Sequence, residues 1–152
     1  MHDKAKGRFT IRSAGVLFML SAAFELLSLT SPVPLLGTTR GGFLMAAYHV
    51  IYIILFLIIG VGLWAPKSWG YRAVFAGAVF FTLDRVLFIF DRATMETYLL
   101  GQLGPYREIL QMIDTESLVR IYGYVTVMSI ACWWGFVLYL HLRREYFSPP
   151  GD

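Results

Sequence analysis

Residues 42–66 read GFLMAAYHVIYIILFLIIGVGLWAP. No Asp, Glu, Lys or Arg interrupts the run before Pro66 ends it. At 1.5 Å per residue a helix over 42–65 is about 36 Å long, more than the roughly 30 Å hydrocarbon core of a bilayer. This segment therefore reads as a transmembrane helix. Three further runs match it: 13–31, closed by Pro32 and Pro34; 71–92; and 121–142. The spacing predicts an all-α integral membrane fold, an antiparallel bundle of four transmembrane helices. Its organisation is a basic N-terminus over 1–12, a single membrane domain over 13–146 and a short tail over 147–152.

Composition agrees. Charged residues make up 15% of the 152-residue chain and hydrophobic ones 57%, whereas a soluble domain carries roughly 25% charge. The net charge of +3 lies beside apolar runs, so it speaks for membrane topology and against nucleic-acid binding. The single Cys132 excludes an internal disulfide or a CxxC redox pair.

Lys and Arg flanking the spans set the orientation. Eight (Lys4, Lys6, Arg8, Arg12, Lys67, Arg72, Arg143, Arg144) fall on one side and four (Arg40, Arg92, Arg107, Arg120) on the other. By the positive-inside rule both termini are expected in the cytoplasm, with the chain in the plasma (bacterial inner) membrane. The long first run with no small-x-small site reads as an uncleaved anchor rather than a signal peptide.

The connection over 91–120 is the one long loop. Met95, Tyr98 and Leu99 continue the face of the third span, and GQLGP at 101–105 interrupts it. Ile109, Leu110, Met112 and Ile113 then form a second apolar face. The expectation is a third helix projecting past the membrane, followed by a short amphipathic helix on the outer surface.

Residues 82–94, TLDRVLFIFDRAT, place Asp-Arg twice in the third span. A central Asp or Arg costs about 2.5–3.5 kcal/mol on insertion, and each aliphatic or aromatic residue returns only about 0.3–0.6. Asp84 and Arg85 must therefore face protein or water. Asp91 and Arg92 sit at the boundary, where charge is cheap, and read as surface residues. Glu25 on the first span lies about 18 Å from its boundary, as does Asp84, and His49 on the second span comes to nearly the same depth. We expect one buried ionisable layer, in which Arg85 pairs with Glu25 and Asp84 meets His49, Tyr48 or Tyr124. Adjacent helix residues diverge by about 100°, so Asp84 and Arg85 are not expected to pair mainly with each other. Polar stripes run along the first span (Ser21, Glu25, Ser28) and the fourth (Tyr122, Thr126, Ser129, Trp133). Their hydroxyls read as packing groups. Gly60, Gly62 and the Ala73–Gly77 spacing mark close helix contacts, within the chain or in a dimer.

A glutamate on the first of four spans resembles the carboxylate of small multidrug resistance transporters. That resemblance implies exchange of protons for cationic substrates at Glu25. The long loop, Arg85 and the greater chain length depart from that family.

No HExxH, P-loop, GxSxG or GxGxxG occurs, and His2, His49 and His141 are scattered. No metal, cofactor or catalytic residue is expected, and the motifs lean away from an enzyme. The candidate substrate- or proton-binding residues are Glu25, Tyr48, His49, Tyr52, Asp84, Arg85 and Tyr124. They point to binding or transport of a small polar or amphipathic molecule, or of protons. The alternatives are a non-catalytic accessory or assembly subunit and a lipid- or isoprenoid-modifying enzyme. The expected partners are membrane lipid and, beyond it, a second copy or another membrane protein.

Overall fold

A computed structural model describes residues 7–31, 33–35, 38–65, 67–104 and 113–147. Among them the chain is built of helices: α1 (Arg8–Leu27), α2 (Gly42–Trp64), α3 (Ser68–Phe90), α4 (Arg92–Leu103) and α5 (Thr115–Leu142). A 3₁₀ turn, Arg144–Phe147, follows α5. Between α1 and α2 a three-residue antiparallel ladder, β1 (Val33–Leu35) with β2 (Thr38–Arg40), closes the connection. That connection holds the prolines expected to end the first span.

Four of the helices, α1, α2, α3 and α5, are long and apolar enough to cross a membrane. Their surface chemistry is inverted relative to a soluble domain. Leu17 and Phe24 on α1, Ile51 and Ile54 on α2, Leu83 and Leu87 on α3, and Val125 and Met128 on α5 are exposed, while His49, Asp84 and Thr126 are buried. That arrangement suits an apolar surrounding, where lipid would solvate the outer side chains and the interior satisfies the polar ones.

Helix α1 packs on α2, α2 on α3, and α3 on α5. Glycines key the first two contacts. A Cβ on Gly15 would lie 2.9 Å from the Gly60 carbonyl oxygen, and one on Gly62 would lie 2.5 Å from the Gly70 Cα. The backbones touch there, as small residues allow in membrane helices. Gly77, of the Ala73–Gly77 spacing, faces Ile59 and Trp133 of the same chain. Two apolar clusters accompany these contacts, the first around them and the second away from them. One gathers Ile11, Ile59, Leu63, Val74, Leu140 and Phe147. The other joins Phe88, Met95 and Val119, with Tyr98 and Tyr122 against it.

The loop after α3 corrects one expectation. The third helix does not project onward: it stops at Phe90, and Asp91 starts a separate helix. The Asp91 carboxylate accepts from the Thr94 backbone N–H at 3.1 Å and from the Thr94 hydroxyl at 2.7 Å, a helix N-cap. Asp114 repeats the device with Ser117, at 2.8 and 2.7 Å. This cap starts α5 at Thr115, six residues before the expected 121. The short surface helix expected around 109–113 falls largely on 105–112, outside the described residues.

Two predictions follow from these contacts. Gly15→Ala and Gly62→Ala should each lower stability by about 1–3 kcal/mol, because the added methyl meets backbone. Gly123→Ala, with open space around it, should be neutral or stabilising by up to about 1 kcal/mol. Thermal melting in detergent checks both, and equal midpoints for all three would refute the glycine contacts. The second concerns pH. Hydrogen bonds from Thr94 hold Asp91 below its ordinary 3.8, and those from Ser117 do the same for Asp114. A lowered folded value means the caps stabilise fully above 3.8 and fade as pH falls through the lowered values. The melting midpoint should therefore drop less in acid for Asp91→Asn/Asp114→Asn, which keeps a capping oxygen but does not titrate, than for the parent.

Candidate functional site

The register set by the glycines decides which polar groups meet. Glu25 lies ten residues beyond Gly15, and His49 eleven residues before Gly60. At 1.5 Å per residue the two are level within about 2 Å. Tyr48 precedes Gly62 by fourteen residues and Asp84 follows Gly70 by fourteen. Hence α2 presents His49 to α1 and Tyr48 to α3, on neighbouring faces of one turn.

The contacts match that count. His49 Nδ1 lies 2.6 Å from Glu25 Oε2, and His49 Nε2 lies 3.2 Å from the Ser31 carbonyl oxygen. A carbonyl oxygen only accepts, so Nε2 carries a proton. The remaining nitrogen then faces Glu25 in one of two ways. Either Nδ1–H donates to a carboxylate, or a protonated carboxyl donates to Nδ1. In both, one further proton lies between Glu25 and His49 and the pair is neutral overall. Removing it would leave a carboxylate against a lone pair. The pair is therefore a one-proton site. Its two ends differ in access: the His49 side chain is 3% exposed and that of Glu25 28%.

On the other face, the Tyr48 hydroxyl donates to Asp84 Oδ2 at 2.9 Å. Arg85 Nε lies 3.7 Å from the same oxygen, and the guanidinium sits over the Phe81 ring, 5.3 Å from its centroid. Tyr52 packs against Tyr48, the rings tilted by 56° with centroids 4.7 Å apart, and is buried between Phe56 and Phe80. Six of the seven sequence candidates thus gather in two adjoining networks.

The expected pairing of Arg85 with Glu25 is corrected. Glu25 is held by His49, because α1 packs against α2 through Gly15 and Gly60. Arg85 turns instead to its neighbour Asp84 and to the Phe81 face. Tyr124 is the candidate not brought in: it is 67% exposed, against 5% for Tyr48. Two residues earlier, Tyr122 points inward, its ring edge-on to Phe88 at 5.9 Å. Two residues on a helix turn about 200°, so the alternative on the same turn takes the opposite face.

The hydroxyl stripes do not cross between helices. Ser21, Ser28, Thr126 and Ser129 each donate to the carbonyl four residues back in their own helix, a bond open to Ser and Thr in any helix. One interhelical bond lies outside the stripes the sequence flagged: Trp134 Nε1–H donates to Thr82 Oγ1 at 3.0 Å, joining α5 to α3. Among the described residues no group of His, Cys, Asp and Glu could hold a metal ion.

A groove of about 280 Å³ runs beside this layer, between α1 and α5. Leu17, Phe18, Cys132, Trp133 and Phe136 line it, with Ser21 as a polar member. Ser21 is one turn from Glu25 on the same face of α1. The groove is apolar; Glu25, one turn beyond Ser21 on α1, is not among its described lining residues.

The chain matches no protein-family model, no curated protein and no solved structure.

Tyr48→Phe should remove the donor from a buried carboxyl group and lower stability by about 1–2 kcal/mol, a few degrees in the melting midpoint. Tyr124→Phe should leave the midpoint unchanged. Equal effects would show that the Tyr48–Asp84 bond does not form.

Proposed function

We propose that the protein is a proton-coupled binding protein for small amphipathic cations, its Glu25–His49 pair exchanging a proton for the cation. The observation that carries this reading is the 2.6 Å contact between Glu25 and buried His49, whose hydrogen bonding accommodates one shared proton. A cation arriving at Glu25 replaces the charge that the proton supplies, and the proton leaves. The groove between α1 and α5 supports an amphipathic ligand, since its walls suit an apolar body while Glu25 suits a charged head. Asp84, Tyr48 and Arg85 hold α2 against α3 behind the pair, and Tyr52 fills the space between.

In this reading the four long helices form an antiparallel bundle in the plasma membrane with both termini cytoplasmic. The Lys/Arg excess near the start of α1, the α2–α3 turn and the end of α5 supports that orientation. A second reading, a non-catalytic accessory subunit, is favoured by the complete burial of Asp84 against a donor of its own chain. There the layer would serve only to lock the helices together.

Proton release separates the two. Tetraphenylphosphonium added to the purified protein in weakly buffered detergent should release up to about one proton per chain, because the pair holds one. Glu25→Gln should abolish the release while the protein stays helical. No release from the parent at saturating probe would sink the coupling and leave the accessory reading.

A further inference from the structure

We propose that a cavity at the start of α1 binds the phosphate of an anionic phospholipid, with Arg8 and Arg12 as its charge contacts. The cavity holds about 460 Å³ and is lined by Arg8, Phe9, Arg12, Ser13, Val16 and Trp64. Two arginines and a serine line it, and no carboxylate is among its described lining residues. Among the described residues that form it, the site therefore carries uncompensated positive charge.

Arg12 carries the assignment furthest. Its Nε–H is buried and meets no acceptor among the described residues. Buried donors are as a rule satisfied, so an acceptor from beyond the described residues is expected here. The guanidinium lies over the Trp64 ring, its carbon 5.6 Å from the centroid. That contact orients the planar fork, and a planar fork suits phosphate oxygens better than a point charge would. Arg8 stands one turn away, so the two cations can share one anion.

The walls choose between sources of phosphate. Phe9, Val16 and Trp64 give the site an apolar side, and Phe9 and Trp64 are themselves exposed. Inorganic phosphate would leave that surface uncovered. A phosphodiester with glycerol and acyl chains covers it, and the end of a membrane-spanning helix is where such headgroups lie. The site stands apart from the proton pair: Arg12 precedes Glu25 by thirteen residues, about 20 Å along α1.

The full chain in neutral detergent can be titrated with phosphatidylglycerol, phosphatidylcholine or inorganic phosphate while its melting midpoint is followed. Phosphatidylglycerol at a hundredfold excess over its Kd should raise the midpoint by about 5 °C or more. Phosphatidylcholine and inorganic phosphate should not. The Arg8→Gln/Arg12→Gln variant should lose the response and keep its helicity. A phosphatidylglycerol response retained in that variant, or an equal response of the parent to both lipids, overturns the site. An equal shift from inorganic phosphate overturns the lipid assignment and leaves a free-anion site. Should the variant not fold, native mass spectrometry of the parent decides. Several-fold preferential retention of phosphatidylglycerol supports the site, and parity with phosphatidylcholine overturns it.

Discussion

The structure depends on the backbone contact of α2 with its two neighbours, through Gly15–Gly60 on one side and Gly62–Gly70 on the other. With lipid outside, apolar side chains gain little by leaving one hydrocarbon surrounding for another, so helices associate through close packing and a few polar bonds. Where no Cβ intervenes, two helices approach closely and cannot slide along each other without clash. Gly60 and Gly62 lie on different faces of one turn of α2, which lets that helix be keyed to α1 and α3 at the same depth.

The polar chemistry inherits this register. Counted from the glycine contacts, Glu25 and His49 are level, and so are Tyr48 and Asp84. The distances of 2.6 and 2.9 Å between them are consequences of that count. A membrane interior penalises an ionisable group left alone, and here Glu25, His49 and Asp84 are each met by a partner from the next helix, while Arg85 is met within its own. The adjacent pair Tyr48 and His49 splits between two neighbours because consecutive helix residues point about 100° apart. One divides the layer toward α3, the other toward α1. Against the expectation from the same divergence, Arg85 does turn to its neighbour, its Nε 3.7 Å from Asp84 Oδ2, and the aromatic face of Phe81 takes the guanidinium.

The doubled Asp-Arg shows how depth changes the role of one dipeptide. Asp84 lies inside the bundle of side chains, where its carboxyl must find donors. Asp91 lies past the last turn of α3, where its carboxyl takes the free N–H groups of the next helix. The signal for the cap was present as Asp91 followed by Thr94, three residues on, and Asp114 with Ser117 has the same spacing. The expected extension of the third helix rested on hydrophobic continuity into Met95 and Leu99, with Asp91 read as a surface residue rather than a cap. Those residues do pack inward, but from a new helix that lies against Phe88 and Val119.

The amino-acid sequence by itself determined that the chain has four helices long and apolar enough to cross a membrane. Run length and the absence of charge are one-dimensional properties. It also made plain that Glu25, His49, Asp84 and Arg85 must be turned inward, since the penalty for exposing them to lipid belongs to each residue alone. Which of them pair was decided only by the tertiary structure. Pairing depends on which helices touch and at what register, and a single glycine contact sets that for a whole helix. Depth arithmetic from the membrane boundary carries an error of about a turn, enough to exchange His49 for Arg85 as the partner of Glu25. Tyr122, not Tyr124, shares the spacing of the buried Thr126 on α5, so the side of the helix was legible there, although Tyr124 was the expected partner of Asp84.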